Sequence, residues 1–193
     1  MNKQITLSSY RLIDISIFTI LMIVFELIAV RAVNWFHEVY SISLFIAISL
    51  IVMMRWGVWS IISIIAGAIS YCLVNDAVFE NYIIYIFGNL FILINLFWFL
   101  LGKDRIRKGY WTVLFVLSGY VLVEIGRSLV AVFFGGKFIP TLIGFLGTDL
   151  INALLALLII IITRKQNGLF EDQISYLKRI NEEERNQNAN TEV

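Results

Sequence analysis

Long apolar runs without a single charge set the first limit on what this chain can fold into. Phe91–Leu101 and Leu154–Ile162 contain no ionisable residue, and similar stretches recur along the 193 residues. A helix needs roughly 20 mostly apolar residues to cross bilayer hydrocarbon. Only helices and closed barrels can cross it, because every backbone N–H and C=O must be bonded internally. Barrel strands alternate apolar with polar residues, and these runs are solid. The composition agrees, with 60% hydrophobic and 15% charged residues, where soluble domains run near 45–50% and 25%. The chain reads as an all-α polytopic membrane protein, one bundle of about six transmembrane helices.

The predicted helices are Leu12–Val33, Val39–Met54, Val58–Val74, Tyr82–Leu101, Tyr110–Phe134 and Pro140–Thr163. The first is too long, and followed by too many others, for a cleaved signal peptide. Only Arg55, Trp56 and Gly57 separate the second from the third, and the glycine permits a tight reversal. Lys3, Arg11, Arg55, Lys103, Arg105, Arg107, Lys108, Arg164 and Lys165 fall on the side shared with both termini. The opposite connectors carry Glu38, Asp76 and Glu80, with Arg31 and Lys137. Lysine and arginine mark the cytoplasmic side, so the expectation is a multi-pass protein of the cell membrane with both termini inside. Residues 1–165 form the membrane domain and 166–193 a cytoplasmic tail. In the tail, Phe170, Ile174 and Leu177 share one helical stripe. They predict an amphipathic helix over about 170–185, docked through that stripe on the basic connector at 103–108 or on a second subunit. The polar residues 186–193 are expected to be disordered.

Charges inside the apolar runs are the most informative feature. Ionisable groups in hydrocarbon cost several kcal/mol and usually face a partner or a cavity. Glu26 and Arg31 lie in the first run, and Glu124 and Arg127 in the fifth. At ~1.5 Å per residue both glutamates fall ~21 Å from the cytoplasmic start, and both arginines at ~26–28 Å. Asp149, Asn152 and Asn89 come to a similar depth from other helices. One reading is a ligand pocket in the outer half, with aromatics such as Trp35, Tyr71, Tyr85 and Tyr120 as apolar walls. The second is a salt-bridge network that fixes helix register. A proton relay is a third.

Other chemistries find little support. Ser118-Gly119 distantly resembles a rhomboid serine motif, but a serine nucleophile needs a positioned base, and the one histidine, His37, sits in an outer connector. One histidine cannot supply the paired ligands of a metalloprotease. Cys72 is the sole cysteine, which excludes an internal disulfide. No phosphate-binding Gly-Lys-Ser/Thr motif is present. The chain is read as a non-enzyme with no cofactor, no metal and no nucleic-acid partner. Small residues (Ser60, Ser63, Gly67 and Ser70 in the third helix, Gly119 and Gly126 in the fifth) mark close helix contacts.

Arg55-Trp56-Gly57-Val58-Trp59, followed by Ala66-Gly67-Ala68, resembles the start of the third helix of the substrate-binding S components of energy-coupling factor transporters. Pro140-Thr141-Leu142 through Asp149 and Asn152 is similar to their last helix. The resemblance covers roughly residues 12–165 in hydropathy. It implies six helices, cytoplasmic termini, and an outer-half pocket for a small molecule such as a vitamin, with Glu26, Arg31, Asn89, Glu124, Arg127, Asp149 and Asn152 as substrate-binding candidates. It also implies a coupling transmembrane subunit and separate ATPases as partners. Two departures stand out: Ala29 and Ala32 do not make the family's Ala-x-x-x-Ala motif, and a proline near the third helix is absent. The cell-shape protein family MreD looks similar in size and helix number, and would make the charges structural.

Overall fold

The computed structural model describes residues 7–36 and 42–191, with the side chains of 30–36 and 184–191 left outside the description. All regular structure among the described residues is helical. Helix α1 is Leu7–Phe36 and α2 is Phe45–Trp56; a 3-10 turn, Gly57–Ser60, leads into α3, Ile61–Val74. Helix α4, Phe79–Asn89, tightens into 3-10 winding over Leu90–Leu101. Then come α5, Lys103–Ile106, α6, Tyr110–Val132, α7, Phe138–Thr148, α8, Leu150–Thr163, and α9, Gln173–Thr191. Four helical runs are long and apolar enough to cross a membrane, and α7 with α8 makes a fifth if that bent pair counts as one.

Phe45–Val74 is one of those runs by length and composition, yet its two halves are antiparallel. A Cβ placed on Gly67 would lie 3.1 Å from the Phe45 ring, which a straight helix would carry ~33 Å away at 1.5 Å per residue. The reversal sits at Gly57, whose φ of 61° suits a residue without Cβ. All twelve residues of α2 are buried. A helix apolar on every side has no solvent face to present, and α1, α3, α6 and α8 surround it. The outer faces of the bundle stay apolar: Leu12, Ile17, Ile20, Leu100, Leu154 and Leu158 are exposed, as lipid contact requires and water contact disfavours.

Several boundaries differ from the sequence expectation, each for a local reason. The second helix was expected from Val39; residues 39–41 lie outside the description, and 42–44 are not helical. Ser43 donates its backbone N–H to Asn152 Oδ1 at 2.7 Å, and its hydroxyl accepts the Phe45 N–H at 3.0 Å. Helix can only start beyond it. The last span was expected to be continuous over Pro140–Thr163. It bends by 50° between α7 and α8, where Asp149 takes φ −97°, ψ 7°. That is the bridge region rather than the helical well. The side chain of Asp149 is drawn across to α6 instead. The small residues of α3 pack internally: Ser63 Oγ is 2.8 Å from Thr19 Oγ1 of α1, and Gly67 abuts Met22.

The segment after α8 closes the basic end of the bundle. Arg55, at the end of α2, holds Asp14 of α1 through Nε (2.8 Å) and Nη2 (2.6 Å), and its Nη1 donates to the carbonyls of Gly168 and Leu169. Phe170 is fully buried against Phe115, ring centroids 6.3 Å apart. Lys103 pairs with Asp172, and Arg107 with Glu171 at 3.4 Å. The tail thus contacts the 103–108 connector, but not through the whole expected stripe: Ile174 is 41% exposed and Leu177 half-buried. Phe170–Asp172 is spent on docking, so the helix begins only at Gln173. Asp172 caps it, accepting the Ser175 N–H at 3.1 Å. Helix continues to Thr191, past the expected end near 185.

Two expectations follow. A Cβ on Gly88 would stand 2.5 Å from the Arg127 Cα, a clash with backbone that no rotamer relieves. Gly88→Ala should lower detergent-solubilised stability by about 1–3 kcal/mol, as overpacking does, measured by thermal unfolding. The second concerns pH. Burial acts to raise the Glu171 carboxyl, but hydrogen bonds from Arg179 and the charge of Arg107 outweigh it and set it below its ordinary 4.5. Burial likewise acts to raise Asp172, but the hydrogen bonds from Lys103 and the Ser175 N–H overcome it, and the carboxyl sits below its ordinary 3.8. A carboxyl lowered on docking stabilises fully above its free value and loses that stabilisation as pH falls through the docked value. Amide exchange across 168–180 should therefore stay slow at neutral pH, once corrected for intrinsic rates, and lose protection only as pH falls below the ordinary carboxyl values of 4.5 and 3.8.

Candidate functional site

Arg127 stands at the middle of a polar network at the end of the bundle opposite Arg55. Two glycines put it there. Gly126 and Gly88 let α6 and α4 meet backbone to backbone; a Cβ on Gly126 would lie 2.3 Å from the Gly88 carbonyl oxygen. The residues that follow them are Arg127 and Asn89. The contact delivers Arg127 Nε to Asn89 Oδ1 at 2.7 Å. Nη1 donates to both oxygens of Glu124, one turn back, at 3.2 and 3.3 Å, and to Asp149 Oδ2 at 2.5 Å. The guanidinium carbon lies 4.6 Å from the Tyr85 ring centroid.

From Asp149 the network runs to α1. Asn152 Nδ2 donates to Asp149 Oδ1 at 3.2 Å, Asn152 Oδ1 accepts the Ser43 N–H, and the Ser43 hydroxyl donates to Glu26 Oε1. The other oxygen of Glu26 is buried without a hydrogen-bond partner, although the side chain is only 1% exposed. Five elements (α1, the turn before α2, α4, α6 and the α7–α8 bend) thus meet in one layer. A charge sequestered from water is tolerable when paired and hydrogen-bonded; Arg127 meets that condition, and Glu26 meets it at one oxygen.

Of the seven candidates read from the sequence, Glu26, Asn89, Glu124, Arg127, Asp149 and Asn152 come together here, all buried. The Arg31 side chain and Trp35 lie outside the described residues. Tyr71 and Tyr85 stack side by side, centroids 4.7 Å apart, with Phe145 edge-on to Tyr85 at 6.4 Å. Tyr120 instead donates its hydroxyl to the Leu146 carbonyl, which ties α6 to α7. Ser43 was not foreseen, because a serine in a connector carries no signal at the sequence level. Ser118, weighed as a nucleophile, donates to Asn95 Oδ1 and the Phe115 carbonyl, both at 3.0 Å.

The network encloses a small cavity of about 20 Å³, lined by Ser43, Gly67, Tyr71, Asn89, Arg127 and Asp149 among others. That is room for about one water molecule. A wider groove of about 440 Å³ shares Tyr71, Tyr85 and Asp149 with it and extends along Thr141, Gly144 and Phe145 of α7. No residue of α7 is buried. Cavity and groove together have the size of a small-molecule site, roughly 300–1,000 Å³, with apolar walls and few polar groups.

The hub can be tested by deletion. Arg127→Leu leaves Glu124 and Asp149 buried without their cation and should cost about 3–5 kcal/mol. Asn89→Leu removes one neutral acceptor and should cost about 1–3 kcal/mol. Chemical denaturation in mixed micelles reads both, and equal losses would contradict the hub. Comparison with protein-family models, with curated proteins and with solved structures finds no match to this chain.

Proposed function

We propose that this protein is a membrane-embedded solute-binding subunit, similar to the S components of energy-coupling factor transporters, which takes up a small molecule such as a vitamin. The observation that supports it is the polar cavity beneath an aromatic groove, set among buried charges at one end of an apolar bundle. In this reading α1, α2, α3, α4 with its 3-10 extension, α6, and α7–α8 are six passes. The Arg55 end faces the cytoplasm, because lysine and arginine concentrate there, and the cavity opens to the outside. Glu26, Asn89, Glu124, Arg127, Asp149 and Asn152 recognise the solute or position the groups that do. The chain has no nucleotide-binding motif of its own, so uptake would depend on a coupling transmembrane subunit and ATPases.

A structural reading, MreD-like or as a subunit of another membrane complex, is favoured by one observation. Both carboxylates beside Arg127 are in direct contact with it, so the guanidinium is already occupied. Two measurements separate the readings. Native mass spectrometry of the purified protein should reveal a retained small molecule, and a thermal-shift panel of vitamins should identify a stabilising ligand. An empty protein that no vitamin stabilises would overturn solute binding. The exchange Glu124→Arg with Arg127→Glu should fold better than either single change, yet abolish ligand binding. Binding that survives the exchange would assign the pair to structure alone.

A further inference from the structure

We propose that Glu26 is a proton-binding site: in the folded protein its carboxyl carries a proton, which exchanges with the groove by way of Ser43. The inference goes beyond solute binding and does not depend on it.

Three observations carry it. The first is burial without a counter-ion. Glu26 is almost wholly buried. Its Oε1 is bonded to the Ser43 hydroxyl, and its Oε2 is buried with no hydrogen-bond partner. Among the described residues no cation is paired with it: Arg127 is in ion-pair contact with Glu124 and Asp149 instead. Arg127 and Asp149 act on Glu26 through space, with opposite signs. A buried carboxylate without a hydrogen-bonded counter-ion takes up a proton rather than bear the cost of its charge. The second is the setting. Ile15, Met22, Glu26 and Ala29 form the buried stripe of α1. The titratable and charged groups on that side are Tyr71 of α3, Glu124 and Arg127 of α6, and Asp149 at the α7–α8 bend. Helix α2 supplies only Arg55, at the other end of the bundle. On α1 itself Arg31 comes five residues later, about 140° around the helix from Glu26 and so off the stripe. The third is a path. Ser43 lines the small cavity, and Asp149 lines both cavity and groove. The cavity has room for about one water. Ser43, that water and Asp149 make a set of proton carriers from Glu26 to the groove. Asn152 bonds the Ser43 N–H and Asp149 and so holds two of the three in place. Release sends the proton over Ser43 and the water to Asp149 and then to water in the groove. It leaves at Glu26 a carboxylate that accepts the Ser43 hydroxyl.

The test is infrared spectroscopy of the full chain in lipid nanodiscs, with isotope labels on the glutamate and then the aspartate carboxyls. At neutral pH the protein should show the carbonyl band of a protonated carboxyl. The band should follow the glutamate label, shift in heavy water, and lose at least half its intensity in strongly alkaline buffer. Glu26→Gln should remove it. Ser43→Ala deletes the hydrogen bond of that carboxyl and should move the band's frequency, which assigns it without any change at Glu26. Four results overturn the site: no acid band, a band that follows the aspartate label, one that survives Glu26→Gln, or one that Ser43→Ala leaves in place. An acid band that first appears in Arg31→Gln overturns it as well, since Arg31 would then be the counter-ion of a carboxylate. A band that heavy water leaves unchanged overturns exchange with the groove.

Discussion

A guanidinium buried in an apolar bundle has little water to bond, so it must find its hydrogen bonds and its counter-charge in the protein. Arg127 does so from three directions, and the rest of the fold reads as the means of bringing those directions together. Gly88 and Gly126 shorten the distance between α4 and α6 until Asn89 reaches it. Asp149 reaches it from the bend between α7 and α8, while its backbone keeps the helical bonds to Phe145 and Ala153. Ser43 and Asn152 carry the same network on to α1. Buried ion pairs contribute little net stability, but their removal is costly because the partners are left alone. The layer thus fixes which helices lie beside which more than it strengthens the bundle.

The two ends of the bundle solve the same problem differently. At the Glu26 end, side chains from five elements satisfy one another around a cavity. At the Arg55 end, a single arginine joins α1, α2 and the segment after α8 through one carboxylate and two backbone carbonyls. Phe170 then fills the space beneath. The first arrangement leaves one buried oxygen of Glu26 without a hydrogen bond. The second spends every group it brings, which suits a closed floor under an open site.

Much of this was legible in the sequence. Solid apolar runs fix helices because the bilayer admits few alternatives, and counting residues at a fixed rise places Glu26, Glu124, Asn89, Asp149 and Asn152 at a similar depth, with Arg127 a little beyond, before any contact is known. The breaks were not legible. Nothing about Asp149 alone says that the helix bends there; its contact with Arg127, from another helix, is a tertiary fact. The same holds for the start of α2, set by Ser43 bonding to residues 17 and 109 positions away. The tail was half legible. Its apolar stripe was correct for Phe170, but Ile174 is exposed because the docking contact ends where the Asp172 cap turns the chain outward.

The enclosure of α2 also has a temporal side. Twelve residues reach ~18 Å, well short of the ~30 Å hydrocarbon, so α2 makes a poor membrane segment alone and gains its setting from neighbours. Helix α3 follows at once, but the carbonyl of Gly168 that receives Arg55 is 113 residues further on. At about 5–20 residues per second that partner emerges roughly 6–23 s later. For that interval the nascent hairpin carries an arginine whose second partner has not been made, while Asp14, its ion-pair partner in the finished fold, is already synthesised. The early pair with Asp14 acts as a placeholder. The C-terminal segment, arriving last, turns a provisional hairpin into the centre of a bundle.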